Sequence, residues 1–589
     1  MHQGDRYAKV AGILACLFLS GGIGALQMAP AGYQVSMFTQ APAAVMLLGG
    51  VLIILGISTT MYSISIGRPD WRLLLPLYAV LFVALLGPYL LGYIIKYADA
   101  MIHLGNILDI VRTGSLPGGM FGARTYPHFH IHLAMMAFIL GMPEYVLIAL
   151  VPLLFGSLAL IVVLLLGRWY QIPSTYPLLF IPLMWLLPLR SVTPSGVAYL
   201  TTFLLLVYLL ETRPEMASWQ LFTVFCCFTV GIWIQHLFVA ALLLGVVISS
   251  YLAASGFSIL QGGGMESPPP GYVLIFTVFG MVWVAILQTQ LLQRGALVIT
   301  QLIGAYSFKT QYEPGGGISR LFSELGFTIV DVVILALKRF GSWGVLLGLG
   351  TLGITIYLYQ NRAHLDQPTI PAMAVGVSIV WSLAELTVGI IPSINWLRVL
   401  RPAVILSPIF AGLFLHRAFL YERIDNDSVR PVAAVLVAII LIIATFGSIG
   451  GMYRSPWMID GNSYSTDSGL QTWQWYYDHK TDGNTVTLER NERRFAELVL
   501  STDEEIERSK EIHNDIRAPP HFRENGQSLA ELYPCSYYIE DKRSRYMNLE
   551  SGYTEDFTHN EIEKVRHSTP SIQSVYTNGN WNISHMGAC

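Results

Sequence analysis

Charge is what this chain has least of. Only 12% of its 589 residues are Asp, Glu, Lys or Arg, about half the share usual in a soluble domain, while 53% are apolar and the mean hydropathy is +0.52. That balance excludes an ordinary water-soluble globule. The 35 basic and 38 acidic residues nearly cancel, to a net charge of -3, and no basic stripe stands out, which argues against nucleic acid as a partner. Cysteine is scarce too, and its five residues say little by themselves. Cys16, Cys226 and Cys227 sit in apolar runs, whereas Cys535 and Cys589 lie in a polar tail and could pair if that tail faces an oxidising exterior. No repeat of 20–50 residues is evident, so a solenoid is not indicated. The apolar runs do not alternate, which excludes a membrane barrel.

What is present is a series of long uncharged runs such as Ala43 to Ile57, Val146 to Leu166 and Val432 to Ile449, several near the roughly 20 residues that a helix needs to cross hydrocarbon. They predict an all-α polytopic membrane protein of about 13–15 transmembrane helices. The candidate spans are 9–28, 42–66, 72–95, 128–142, 144–167, 174–190, 195–211, 218–234, 236–255, 271–292, 341–360, 369–392, 397–420 and 431–451. The first apolar run, Val10 to Met28, lacks a clear small-residue cleavage site and reads as an anchor. After Gly451 the composition turns polar, with stretches such as "TDEEIERSKEIHNDIR". This divides the chain into a membrane domain, 1–451, and a water-exposed domain of mixed α/β structure, 452–589.

Loop charge suggests the orientation. Arg6, Lys9, Arg68 and Arg72 favour the cytoplasm at one end of the early helices, which sends the uncharged turn Ala31 to Gln40 and the polar loop 96–127 outside. From the other end, Arg362, Arg417, Arg423 and Arg430 favour the cytoplasm and send the polar tail outside. About fourteen spans cannot satisfy both assignments, so either 128–142 does not cross fully or Leu321 to Ala336 crosses as well. The second long loop, 293–340, carries "YEPGGGISR", whose glycines suit a mobile hinge or lid as well as an ordinary connector.

The stretch from Tyr93 to Leu133 gathers the charge that the rest of the membrane domain avoids. Read as a helix, "ADAMIHLGNILDI" puts Asp99, His103 and Asn106 on one face at i, i+4 and i+7, with Asp109 slightly off it. A carboxylate and an imidazole there can take a proton from a substrate or coordinate a cation. The same pattern is also what an amphipathic helix lying at the outer interface needs on its wet side. Beyond it, Gly118, Gly119 and Gly122 make a turn, and Pro127 suits the first turn of the next helix. His128 and His132 have a spacing that zinc can use, though no third ligand is evident; His130 would point away from them.

The motif Asp99-x-x-x-His103-x-Gly105, followed by a helix, a glycine-containing turn, then Tyr126-Pro127-x-x-His130 and an apolar span, resembles the first large external loop of the GT-C superfamily of membrane glycosyltransferases, in particular its archaeal members. "GYQVSMFTQAP", "WLRVLRPAVILSPIFAGL" and "SVYTNGNWNISHM" resemble further parts of such chains. The resemblance implies a multi-pass cell-membrane enzyme with its active site and C-terminal domain extracytoplasmic. It would move a sugar from a polyprenyl (dolichyl) phosphate donor to an external acceptor, either a lipid-linked glycan or a protein, with inversion. It also implies an acid of the first external loop at the reaction centre, and Asp99 matches that position. Asp99 is followed by Ala100 rather than by a second carboxylate, which leaves a divalent cation, magnesium or manganese, open.

On that resemblance Asp99 is the candidate base and His103 its orienting partner. The candidate substrate-binding residues are Asp109, Arg124, Tyr126, His130, His236, Arg398 and Arg401. Arg398 and Arg401, in "INWLRVLRPAV", suit a lipid phosphate because a guanidinium can hold two of its oxygens; anchoring at the interface would account for them equally. Lys309 and Arg320 are weaker alternatives, and a satisfied buried histidine is the plainer reading of His236. Asn582 begins an N-I-S triplet. The aromatics of "TWQWYY" are candidates for stacking on sugar rings or for core packing. A transporter or flippase of lipid-linked or polar substrates is the alternative activity, and a membrane scaffold presenting the tail is a third, but the charge clusters in loops rather than at mid-membrane.

Overall fold

The computed structural model describes residues 3–29, 33–34, 36–96, 99–116, 127–142, 144–184, 218–235, 328–360, 369–388, 396–420, 429–453, 464–480, 484–488, 515–517, 528–546 and 572–587, with isolated positions between 239 and 282 and at 495 and 499–500. In chain order the membrane part comprises α1 (Gln3–Gln27), a single turn α2 (Met37–Gln40), α3 (Ala43–Ser65), a 3-10 turn (Trp71–Leu74) leading into α4 (Leu75–Leu90), β1 (Tyr93–Lys96), α5 (Asp99–Thr113), α6 (Pro127–Leu140), α7 (Glu144–Trp169), α8 (Thr175–Phe180) with a 3-10 turn (Ile181–Met184), α9 (Ser218–Gln235), α10 (Ile329–Gln360), α11 (Thr369–Val388), α12 (Trp396–Leu420) and α13 (Val429–Tyr453). Among the described residues seven helices are long and apolar enough to cross a membrane. The chain is a polytopic helical membrane protein.

Several predicted boundaries shift, each for a local reason. The apolar run read as one span over 72–95 is a helix that stops at Leu90 and a strand that begins at Tyr93. Gly92 adopts φ +82°, the left-handed conformation that ends helices, and the β-branched residues after it pair with another strand. The span over 341–360 is longer, because α10 starts at Ile329, inside the segment read as loop. The helix at 128–142 is only 14 residues long, about 21 Å, short of the ~30 Å of a hydrocarbon core. The span 195–211 and most of 236–255 and 271–292 lie outside the described residues.

Two packing devices hold the bundle where polar backbone has no water to turn to. Pro88, inside α4, has no N–H to give the carbonyl four residues earlier. That carbonyl, Ala84 O, accepts a short hydrogen bond from the Tyr453 hydroxyl at the end of α13, and Gly87 leaves the room for it. Pro182 likewise has no N–H for the carbonyl of Leu178, and Tyr78 of α4 donates to it at 2.8 Å. Second, glycine lets α10 approach α12: a Cβ on Gly350 would stand 2.9 Å from Ser407 Oγ, and one on Gly353 would run into the Phe410 carbonyl. Leu346 and Ile354 of α10 and Leu406 and Ile409 of α12 are buried in the core around this contact.

Beyond α13 come β2 (Tyr464–Thr466), α14 (Asp467–His479), β3 (Thr485–Thr487), β4 (Asp515–Arg517), α15 (Leu529–Leu532), β5 (Ser536–Asp541), α16 (Lys542–Arg545), β6 (Ile572–Thr577) and β7 (Trp581–Met586). Five strands form one sheet in the order β4-β3-β5-β7-β6, parallel between β4, β3 and β5 and antiparallel from β5 to β7 and β6. This is the mixed α/β structure predicted for the tail. The aromatics of "TWQWYY" are packing residues: Trp473 is buried and stacked on Phe495 with ring centroids 4.9 Å apart, and Trp475 stacks on both His479 and Tyr576. Lys480 lies over the Tyr477 ring. Their faces are occupied, which removes the observation that favoured sugar stacking. Cys535 is disulfide-bonded, Cys16, Cys226 and Cys227 are free, and Cys589 lies outside the described residues.

Candidate functional site

The site is built on α5, and three contacts fix where α5 begins. β1, which precedes it, pairs antiparallel with β2 of the C-terminal region, Lys96 opposite Tyr464. Tyr93 on β1 accepts a hydrogen bond from the Gln34 backbone N–H at 3.0 Å and donates to Gln40 Oε1 at 3.0 Å. Gln40 in turn gives its Nε2 hydrogen to the Leu91 carbonyl at 3.3 Å. The turn over 33–42, the end of α4 and the C-terminal region thus meet at one tyrosine, with Tyr33 and Tyr464 edge-on to it. At the far end of the bundle Arg72 bonds Asp70 at 2.9 Å and reaches Asp5 at 3.3 Å. That contact sets the starts of α1 and α4 side by side and leaves β1 and α5 at the opposite end.

α5 runs 15 residues from Asp99 and ends at Gly114, where φ is +67°. Its polar face is not a wet one. His103 is 6% exposed, Asn106 6% and Asp109 5%, so the reading of α5 as an interfacial helix with a solvated stripe is corrected. The reason is that α6 packs along α5, with Phe129 and Leu133 of α6 buried against Met101, Leu104 and Ile107 of α5 in the same core. Burying such groups without partners costs free energy, and the partners are specific. His103 Nδ1 and His130 Nε2 are 3.0 Å apart, with Phe129 edge-on to both rings. Asn106 donates to the Ile102 carbonyl at 2.9 Å. The Thr113 hydroxyl donates to the Asp109 backbone carbonyl at 2.7 Å, a helix-end contact that does not involve the Asp109 carboxylate.

The histidine pair has a definite proton capacity. With both rings neutral, one N–H donates and one lone pair accepts; with one added proton the bond persists; with two, both facing nitrogens carry hydrogen and the bond is lost. A bond of this kind tolerates one added proton and not two. Asp99 stands one turn before His103, on the same helical face by spacing.

The remaining predicted residues divide into four groups. His128 and His132 are exposed, on the opposite side of α6 from His130, with rings parallel at 5.9 Å. Among the described residues no three His, Cys, Asp or Glu side chains form a metal-binding group, and the facing nitrogens of His103 and His130 already engage each other. Arg398 is exposed and Arg401 half-buried, one turn apart at the start of α12. α12 packs on α7, α8, α10 and α11, while α5 packs on α6 and β1. α7 touches α6, β1 and α12, and so stands between the two sets. Arg124, Tyr126, His236, Lys309 and Arg320 lie outside the described residues. The N-I-S triplet lies on β7, where Ser584 is buried and Asn582 accepts from Ser574 at 3.1 Å.

Sequence reasoning singled out both His103 and His130 without joining them. The available signal was the face of α6: a histidine between two that share the other face must point into the bundle, and a buried imidazole needs a partner. The β1–β2 pairing carried no local signal, since nearly 370 residues separate the strands.

No family model and no curated protein matches the chain. Solved structures with a similar course include ArnT from Cupriavidus metallidurans bound to undecaprenyl phosphate, 11% identical, covering 86% of this chain and 97% of that one with a TM-score of 0.43. The Archaeoglobus fulgidus oligosaccharyltransferase in complex with zinc and sulfate is 12% identical and covers 77% of this chain and 64% of its own, with a TM-score of 0.42. The arabinofuranosyltransferase AftD from Mycobacteria is 13% identical and covers 84% of this chain and 41% of that one, with a TM-score of 0.40.

Proposed function

We propose that the protein is a membrane glycosyltransferase that moves a sugar from a polyprenyl-phosphate donor to an acceptor on the extracytoplasmic side. The observation that carries the reading is the buried contact of His103, on the helix that opens with Asp99, with His130 of α6. An imidazole pair withdrawn from water at the junction of bundle and C-terminal region is poor packing, yet it suits a site that moves protons. The resemblance of the Asp99-x-x-x-His103 motif to GT-C enzymes supports the same assignment. The disulfide at Cys535 supports an oxidising side for the C-terminal region. The cluster of Arg6, Lys9, Arg68 and Arg72 at the end of the bundle opposite α5 supports a cytoplasmic placement for that end.

In this reading the phosphate of the donor is the leaving group, so the enzyme's work is to position and deprotonate the acceptor hydroxyl. Asp99 takes the hydroxyl proton as the acceptor oxygen bonds to the anomeric carbon and the carbon–phosphate oxygen bond breaks, with inversion. His103, held by His130, is the positioning residue for Asp99 and the outlet for its proton. Arg398 and Arg401 are assigned to the departing phosphate. The acceptor is a lipid-linked glycan or a protein.

The test is transfer of labelled sugar by the purified protein from a panel of polyprenyl-phosphate sugars to membrane acceptors. Transfer from at least one donor, absent with the matching nucleotide sugar, is expected. No transfer from any donor, with movement of lipid-linked or polar solutes into vesicles, would replace this reading by a transporter.

A further inference from the structure

A crevice of about 190 Å³ opens among α1, α3, α4 and α13. Gly49 and Gly50 of α3 leave the space, and Phe18, Val83, Phe446 and Tyr453 enclose it. Its lining is hydrocarbon apart from the Tyr453 hydroxyl, which is committed to the Ala84 carbonyl. Water needs two to four polar partners to occupy a cavity, so water gains nothing here. An empty crevice would forfeit dispersion contacts along its walls.

The mouth shows what fills it. Met46 and Phe446 line the crevice and are also exposed. They are continuous with the exposed apolar surface of the same two helices, Leu47 and Val51 on α3 and Ile439 and Ile443 on α13, which in a spanning helix faces lipid. Among the described residues none of the lining is Lys, Arg or His, so nothing in it selects a phosphate. We propose that this crevice is a binding site for one hydrocarbon tail of a bilayer lipid, held by its tail alone.

The tail braces α13 against α3 and α4. Leu91 belongs to the lining, and its carbonyl is the group that Gln40 holds while Gln40 also takes the Tyr93 hydroxyl. Occupancy therefore firms the end of the bundle from which β1 and α5 depart. The inference needs only a membrane-spanning chain and does not rest on sugar transfer.

The test uses a phospholipid with a photoreactive diazirine in its acyl chain, reconstituted with the full chain in bilayer discs, and maps the adducts by mass spectrometry. Adducts are expected to concentrate on Met46 and Phe446. Gly50→Leu, whose Cβ meets Phe446 at an ordinary 3.6 Å, should lower them about tenfold, while Leu47→Phe, outside the lining, should leave them unchanged. Val83→Phe fills the same space if Gly50→Leu does not fold. Adducts spread evenly over Leu47, Ile443 and the lining of the unmodified protein would overturn the site, as would labelling indifferent to a folded filling variant. Displacement of the label by an equimolar polyprenyl phosphate would also overturn it, by making the crevice the seat of a different lipid.

Discussion

Replacing Tyr453 by Phe removes one oxygen, and its consequence can be worked from Pro88. The proline leaves Ala84 O without its helical donor, and the Tyr453 hydroxyl supplies the replacement from α13. In Tyr453→Phe the carbonyl is buried in hydrocarbon with no partner, a loss of about 1–3 kcal/mol. The second arm of the experiment is Pro88→Ala, which restores an N–H at the position that the carbonyl lacks. Tyr453→Phe in that background should cost much less, so the two substitutions couple by roughly 1–2 kcal/mol. Thermal unfolding of the four proteins in one detergent, followed by tryptophan fluorescence, reads the cycle. An equal loss from Tyr453→Phe in both backgrounds would refute the reasoning, because the tyrosine would then act through packing alone. Tyr78→Phe provides the parallel case at the Leu178 carbonyl freed by Pro182.

Three further outcomes are expected. His130→Ala strands one buried nitrogen of His103 and should destabilise the protein by about 1–3 kcal/mol; a change in the pH profile of transfer in His130→Gln, which can still hydrogen-bond, would separate a proton-handling role from a purely structural one. Gly353→Ala places a methyl group against the Phe410 carbonyl and should lower stability by about 1–3 kcal/mol, measured by heat-induced aggregation in detergent, whereas Gly348→Ala, with open space around it, should be nearly silent. Asn582 should remain without glycan in the folded protein, since its triplet is paired on both sides within the sheet; a mass increment on the peptide containing Asn582 would contradict this.

The membrane class was legible because hydropathy and helix length are local properties. Ala43–Ser65 and Val429–Tyr453 lie within one and two residues, respectively, of the spans predicted at 42–66 and 431–451. Hydropathy misled where an apolar strand follows an apolar helix: "LLGYIIK" reads as one run, and only Gly92 marks the break. The helix read over "ADAMIHLGNILDI" was legible from its spacing and is α5, but burial of its polar face was not, because amphipathicity cannot tell water from a partner helix. Pairings such as Tyr453 with Ala84 and β1 with β2 are tertiary and leave no local trace in a single sequence, whereas the histidine spacing of α6 hints that His130 is buried without naming His103. The composition turns polar after Gly451, and α13 runs on to Tyr453.

The central claim is that α5 carries the base of a sugar-transfer reaction, and the direct measurement is the rate of transfer from a polyprenyl-phosphate donor by the purified protein and its Asp99→Asn form. Asparagine keeps the shape of the side chain and cannot take the acceptor's proton. The account predicts transfer that falls by at least about a hundredfold, the range of a lost general base, while donor binding and the unfolding temperature stay near those of the unmodified protein. Undiminished transfer by folded Asp99→Asn would contradict it.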